Sequence, residues 1–192
     1  MLRIFFFTII IYNFSYNILN AENNKFDINI LAKVDNEIIT SYDLFLEKKT
    51  LELLNNNKIN SSQHQILLEK LINERIRYIE SKKNNIKIEE KKVEEIYVSI
   101  LAKIKEKNIQ TEIKKRIKEK IMIDENWKKL IFFKYGNKIE ININEIEDKF
   151  KLQKLDLEKR ENIINFEKNQ KMNVFSKTHF NEIKRKYFIQ KY

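Results

Sequence analysis

The side chains that could bind a metal or move a proton are few in this sequence. One acidic cluster contains Glu89, Glu90, Glu94 and Glu95, and paired carboxylates of this kind could hold a divalent cation or share a proton. No histidine or aspartate stands beside them at ligand spacing. Carboxylates at the start of a helix also favour the positive end of the helix dipole, so we interpret this cluster as structural.

Other catalytic groups are equally isolated. His64 and His179 lie far apart in the chain, and neither belongs to a catalytic motif. The absence of cysteine excludes disulfides, zinc fingers and a cysteine nucleophile. With one glycine and no proline, the sequence also lacks the glycine-rich loops of phosphate-binding sites and Rossmann units. We therefore predict that the protein is not an enzyme and that it uses no cofactor or metal.

The chemistry that remains is apolar and aromatic surface. An exposed apolar groove can bind extended peptides without strict sequence preference. The alternative is that most of these aromatic side chains simply form the core. The residues that we predict as contacts for a bound peptide are Phe45, Trp127, Phe132, Phe133, Phe180, Tyr187 and Phe188.

The stretch Ile30–Phe45 predicts the element on which the helices must pack. Alternating residues at 30–34 favour a strand, and Asp35 and Asn36 suit a tight turn because they tolerate a left-handed backbone. Ile38 and Ile39 favour a return strand, after which Thr40 and Ser41 can cap a helix. A hairpin this small needs helices packed against it to be stable.

Helical periodicity dominates the rest of the chain. Apolar residues at i, i+3 and i+4 predict helices over 42–54, 63–82, 89–107 and 111–135. Gly136, the single glycine, follows the last of these and suits a left-handed C-terminal cap. The sequence therefore predicts a mostly α-helical bundle with a small N-terminal β-hairpin and a returning helix near the C-terminus.

The net charge of +10 raises the question of nucleic-acid or anionic-lipid binding. Only six of the 38 basic residues are arginine, whereas specific phosphate and base recognition relies on arginine forks. The lysines are scattered among acidic residues, which is typical of a solvated surface. We therefore expect no nucleic-acid partner, although a basic helical protein that binds lipid or nucleic acid remains an alternative.

The N-terminus is typical of a secretory signal peptide over residues 1–21. Arg3 provides the positive charge, Ile4–Tyr12 is an apolar run, and Leu19-Asn20-Ala21 is a usable cleavage site. The alternative is an uncleaved membrane anchor, but the run is shorter than the roughly 20 apolar residues of a spanning helix. We predict export, without a stable membrane span.

Several segments, taken in order, resemble the SurA-type periplasmic chaperones. KVDNEIITSYDL is similar to the start of their N-terminal domain, and ILLEKLINERIRYIESKKNNIKI to its second helix. IKEKIMIDENWKKLIFFKYGNKIEININEIEDKF is the most specific match, and FSKTHFNEIKRKYFIQKY resembles their terminal segment. The sequence departs from the family after the third helix, where a further helical stretch is missing.

The resemblance implies a domain order and a function. It implies a chaperone domain over 22–150, a charged helical connector over 151–174, and a C-terminal helix over 175–192 that packs on that domain, without the parvulin-type isomerase domains. It further implies an ATP-independent periplasmic chaperone whose partners are unfolded outer-membrane proteins in transit. A prolyl-isomerase-related protein is the enzyme alternative. Client identity and oligomeric state stay open.

Overall fold

The computed structural model describes residues 27–104, 108–140, 144, 148 and 157–192. The predicted signal peptide and the first part of the predicted connector, 151–156, lie outside these ranges. The described elements, in chain order, are β1 (Ile30–Val34), β2 (Glu37–Thr40), α1 (Ser41–Asn55), α2 (His64–Lys83), α3 (Glu90–Leu101), α4 (Thr111–Tyr135), α5 (Leu157–Lys184) and β3 (Ile189–Lys191). The protein is thus mostly helical with one small antiparallel sheet, as the sequence predicts.

The hairpin forms where the sequence predicts it. β1 and β2 pair antiparallel, and Asp35 in the turn has a φ of 51°, the left-handed conformation that Asp tolerates. Ala32, Val34 and Ile39 are fully buried against the helices. The alternation in β1 therefore gives the sheet one core-facing side.

A capping box ends the hairpin and starts α1. The Thr40 backbone N–H donates to Asp43 Oδ2 at 2.7 Å, and the Asp43 N–H donates back to Thr40 Oγ1 at 3.2 Å. This reciprocal pair satisfies two backbone donors at the helix start that have no partner within the helix. The predicted cap at Thr40 is confirmed.

The main core lies between the sheet and three helices, α2, α4 and α5. The apolar face predicted for α2 is buried at Leu68, Leu71, Ile72 and Ile76. The other buried members of this cluster are Ala32, Val34, Ile39, Trp127, Leu130, Ile131, Ile183 and Tyr187. The sheet is therefore held in place by helix packing as well as by its own few strand pairs.

A second, smaller core joins α3 to the first half of α4 and the end of α1. Tyr97, Ile113, Ile117 and Ile121 are buried in it, and Leu53 and Leu54 pack against it. α4 runs through both clusters, which explains why apolar residues recur along its whole length.

Three predicted boundaries are wrong. α3 ends at Leu101 rather than 107. Gly136 has φ −53°, so it extends α4 into the 3₁₀ turn Gly136–Lys138 instead of adopting a left-handed cap. The ring of Phe132 lies 3.3 Å from where a Cβ of Gly136 would stand, so an alanine there would require this exposed ring to shift by a few tenths of an ångström.

The third correction concerns the C-terminal segment. The predicted helix over 175–192 is the last part of α5, which ends at Lys184, and Ile189–Lys191 forms β3. β3 pairs antiparallel with β1, so β1 is the central strand of the order β2-β1-β3. The end of the described chain packs on the N-terminal elements as predicted, but it does so partly as a strand.

Candidate functional site: an apolar groove at one end of the bundle

A groove of about 670 Å³ lies where the end of α1, the end of α3 and the start of α4 meet. Six of its lining side chains are apolar: Phe45, Leu53, Leu54, Ile104, Ile109 and Ile113. Its polar lining residues are the amides Asn56, Asn57, Asn108 and Gln110 and the charged residues Lys49, Glu52, Lys58 and Lys103. The volume lies within the roughly 300–1,000 Å³ typical of ligand-binding clefts.

The loop after α1 fixes one wall of the groove. Asn56 has a φ of 50°, the left-handed conformation that ends α1 and turns the chain. The Ile59 N–H donates to Glu52 Oε1 at 3.0 Å and ties the loop back to the helix. This backbone hydrogen bond and the neighbouring Lys49 and Lys48 hold the pKa of Glu52 below its usual range, so Glu52 carries its charge at neutral pH.

The charged rim carries an excess of positive charge. Lys49 Nζ lies 3.6 Å from Glu52 Oε2 and also 5.9 Å from the centre of the Phe45 ring. Lys58 and Lys103 add two further ammonium groups. The groove thus combines an apolar lining, amide groups that can hydrogen-bond a peptide backbone, and a rim that attracts negative charge.

A buried ion network lies one turn from the groove and links α1 and α4, two of the helices that form the groove, to α2. Arg116 donates to Glu47 Oε2 from Nη2 at 2.8 Å, and Lys120 Nζ lies 2.7 Å from Glu47 Oε1. Both bases also contact Glu74 of α2. Glu47 is 0% exposed and Arg116 is 7% exposed. The ion pairs that join α1, α2 and α4 are therefore shielded from solvent.

The pKa shifts in this network show that the attraction between opposite charges outweighs the effect of burial. Burial by itself would raise the pKa of Glu74, but Arg116 and Lys120 lower it below the ordinary value. Burial would likewise lower the pKa of Lys120, but Glu74 and Glu47 raise it. Glu74 and Lys120 are therefore charged at neutral pH, and they contribute ion pairs that join α2 to α4.

The structure separates the seven aromatic residues nominated from the sequence. Phe45 lines the groove and is 38% exposed. Phe132 and Phe133 are more exposed, but they lie near the opposite end of α4. From Ile113 to Phe132 the helix rises roughly 28 Å, at 1.5 Å per residue. They do not share the groove with Phe45.

The other nominated residues lie around the main core. Trp127 and Tyr187 are buried, and Phe180 is half-buried with its ring edge-on to Trp127 at 6.0 Å. Phe188 is exposed beside β3, and its backbone N–H donates to Asp35 Oδ1 at 3.0 Å. Trp127 Nε1 donates to Ser176 Oγ at 2.9 Å, which satisfies the indole of this core residue.

Most lining residues of the groove were not singled out from the sequence. Leu53 and Leu54 look like ordinary helix-face residues, and only the lone apolar Ile109 between Asn108 and Gln110 could have marked the site. A single isoleucine in a short polar break is a weak signal. The groove is formed by three segments that are far apart in sequence. Hydrophobic periodicity predicts each helix but not which helices meet.

His179 is buried in the core, where two aromatic side chains contact it. Tyr135 Oη and His179 Nδ1 are 2.9 Å apart, and the imidazole stacks on Trp127 with ring centres 5.7 Å apart. Burial, with the charge of Lys134, lowers the pKa of His179. Over the described ranges, no group of three or more His, Cys, Asp or Glu side chains could hold a metal ion.

Comparisons with protein families and with curated proteins give no match. None of the known protein-family models matches the chain, and no curated protein is similar to it. Among the described helices, none is long and apolar enough to cross a membrane.

Proposed function

We propose that the protein is an ATP-independent chaperone that binds extended apolar segments of unfolded proteins in the groove between α1, α3 and α4. The single observation that carries this proposal is the lining of the groove. Six apolar side chains offer burial to client side chains, while four amide side chains at its edge can hydrogen-bond any peptide backbone. Such a surface selects for exposed apolar chain rather than for one sequence.

The resemblance of several segments to the SurA-type chaperones supports a more specific form of the proposal. In that form the protein is exported to the periplasm and its clients are outer-membrane proteins in transit. The order of the segments that carry the resemblance supports this reading, and so does the absence of any catalytic grouping in the sequence. These features belong to the sequence alone, so they support the proposal independently of the groove.

The test is suppression of aggregation. The full chain is mixed with an outer-membrane β-barrel protein diluted out of urea, and light scattering is followed without ATP. We expect equimolar chain to suppress scattering, with little change when salt is raised, because apolar burial is not screened. Unchanged scattering at both low and moderate salt would contradict the proposal.

Two matched variants test whether the groove is the site. Phe45→Ala removes an aromatic side chain from the groove, and Phe188→Ala removes an equally large, exposed one beside β3. Both side chains are partly or largely exposed, so we expect both variants to fold. Phe45→Ala should require several-fold more protein for the same suppression, whereas Phe188→Ala should behave like the parent chain. Equal loss in both variants would place client binding elsewhere.

A further inference from the structure

The C-terminal end of α4 carries two neighbouring, exposed phenylalanines that belong to neither of the two hydrophobic cores. Phe132 is 66% exposed and Phe133 is 74% exposed, although both belong to a well-packed helix. Lys128 and Lys129 lie one turn before them, and Lys138 follows in the 3₁₀ turn. We call these five residues the aromatic–lysine patch. Exposed aromatic pairs of this kind mark a surface that another apolar phase covers.

The positive charge of the patch is only partly balanced. Glu125 accepts from Lys128 Nζ at 2.5 Å, but it is also paired with Lys92 at 3.3 Å, so one carboxylate serves two cations. Lys129 Nζ donates to the uncharged carbonyl of Lys87 at 2.9 Å.

The last lysine of the patch is also unbalanced. Lys138 Nζ lies 5.5 Å from the centre of the Tyr135 ring. Within the part of the chain that the structure describes, neither Lys129 nor Lys138 pairs with a carboxylate. The patch therefore attracts anions at the same place where it offers apolar rings.

We propose that the aromatic–lysine patch docks the protein on the surface of a membrane that contains anionic phospholipids. Phenylalanine rings gain by burial at the boundary between headgroups and acyl chains, and lysines beside them gain from phosphate groups. The occupant is a bilayer rather than nucleic acid because the patch contains no arginine, the residue suited to bidentate phosphate and base contacts.

The position of the patch leaves the groove free. α2 and α4 run in the same direction, since Glu74 meets Arg116 near the groove end and Arg77 meets Asp124 further along at 3.5 Å. The patch lies beyond these contacts, roughly 24 Å along α4 from Arg116, at 1.5 Å per residue. A protein docked through Phe132 and Phe133 therefore presents the groove away from the bilayer, where it can still receive a peptide.

The experiment uses the absence of cysteine from the chain, which allows a probe at one chosen position. Phe133→Cys carries an environment-sensitive fluorophore on the patch of the full chain. Ile66→Cys is the matched control, because Ile66 is 58% exposed near the start of α2. The vesicles are pure phosphatidylcholine, or an equal mixture of phosphatidylcholine and phosphatidylglycerol. Buried Trp127, the single tryptophan, reports by its emission that each labelled variant is folded.

We expect the probe at 133 to shift to the blue with the anionic vesicles and not with pure phosphatidylcholine. The probe at 66 should stay unshifted with both. Lys129→Gln and Lys138→Gln should each weaken the response about fivefold in apparent affinity, as for loss of one lysine near an anionic surface.

Three results would overturn the proposal. The first is no shift at 133 with anionic vesicles, or equal shifts at 133 and 66, which would place membrane contact on another surface. The second is an equal shift at 133 with duplex DNA, which would make the contact purely electrostatic. The third is a shift at 133 with an unfolded outer-membrane protein alone, which would make the patch a client site. None of these outcomes depends on whether the groove binds peptides.

Discussion

Single residues in this protein are explained by contacts that their neighbours in sequence do not reveal. Gly136 looks like a helix cap because it follows a periodic helix, yet its backbone is right-handed and its Cα faces the Phe132 ring. Glu47 looks like a solvated charge on an exposed turn of α1, yet it is 0% exposed and paired with two bases. Glu47 is thus explained by packing between two helices, and Gly136 by its backbone conformation and by a side chain one turn earlier.

Gly136→Ala distinguishes the two interpretations of this glycine. With φ at −53°, alanine fits the backbone and reduces the freedom of the unfolded chain. The exposed Phe132 ring can move to accept the new Cβ. We expect the free energy of unfolding in urea to stay unchanged or rise by up to about 1 kcal/mol. A fall of that size would mean that the position is left-handed in solution.

Arg116→Ala tests the buried ion network. The change leaves Glu47 buried with only Lys120 as a partner, and breaking a buried pair in this way costs about 3 kcal/mol. Urea unfolding followed by circular dichroism measures the loss.

The matched control for this change is Lys118→Ala, which removes a cation 2.5 Å from Glu94 on the exposed side of α4. An exposed pair contributes less than about 1 kcal/mol, so its loss should be small. Equal effects of the two variants would contradict the structural role of the network.

The elements predicted best from sequence are those with a start signal and a stop signal, such as a polar break before a helix or a glycine after it. α4 begins at Thr111 and ends at Tyr135 as predicted, because a polar break precedes it and a glycine follows it. The predicted hairpin and the predicted cap at Thr40 are also confirmed. Turns and helix caps depend on a few neighbouring residues, so the local sequence is enough to predict them. Of the aromatic residues chosen from the sequence, Phe45 lies in the groove, but the residues that line the groove with it were not foreseen.

Elements that depend on distant partners could not be predicted. α5 is lysine- and glutamate-rich with weak periodicity, so its length was divided between a connector and a separate helix. β3 is only three residues long, and nothing in Ile189–Lys191 indicates a strand. It exists because β1 offers an unpaired edge, and this is a property of the folded hairpin rather than of the local sequence.

Removal of residues 188–192 tests the role of β3. This change leaves β1 with one partner, and two-stranded hairpins are only marginally stable. It also removes Phe188, whose N–H donates to Asp35. We expect faster hydrogen exchange in the amides of Ile30–Val34, with protection of α3 unchanged. Unchanged exchange in β1 would show that helix packing alone holds the hairpin.

For the whole molecule, acid should weaken the fold in two steps. His179 has a lowered pKa, so below about pH 6.5 the unfolded chain takes up a proton that the folded chain resists. Glu74 also has a lowered pKa, so the stability it contributes is fully present above about pH 4.3 and is lost as the pH falls through the folded-state value. Both shifts make the fold less stable as the pH falls.

The two steps can be separated by variants. Urea unfolding is measured as a function of pH for the parent chain, His179→Gln and Glu74→Gln. We expect the loss near pH 6 to disappear in His179→Gln and the loss below pH 4 to diminish in Glu74→Gln. If both variants follow the parent curve, other groups control the acid response.

The pairing of β1 with β3 also sets the order in which the chain can fold. β1 is formed from residues that are synthesised early. Its second partner, β3, is synthesised only after all the described helices. Helices α1 to α4 can pack as soon as they are made, since their contacts are closer in sequence. The sheet is completed only by a slow, long-range closure. Until then one edge of β1 stays open, so a chain held during synthesis or transport exposes a β-edge that other chains can pair with.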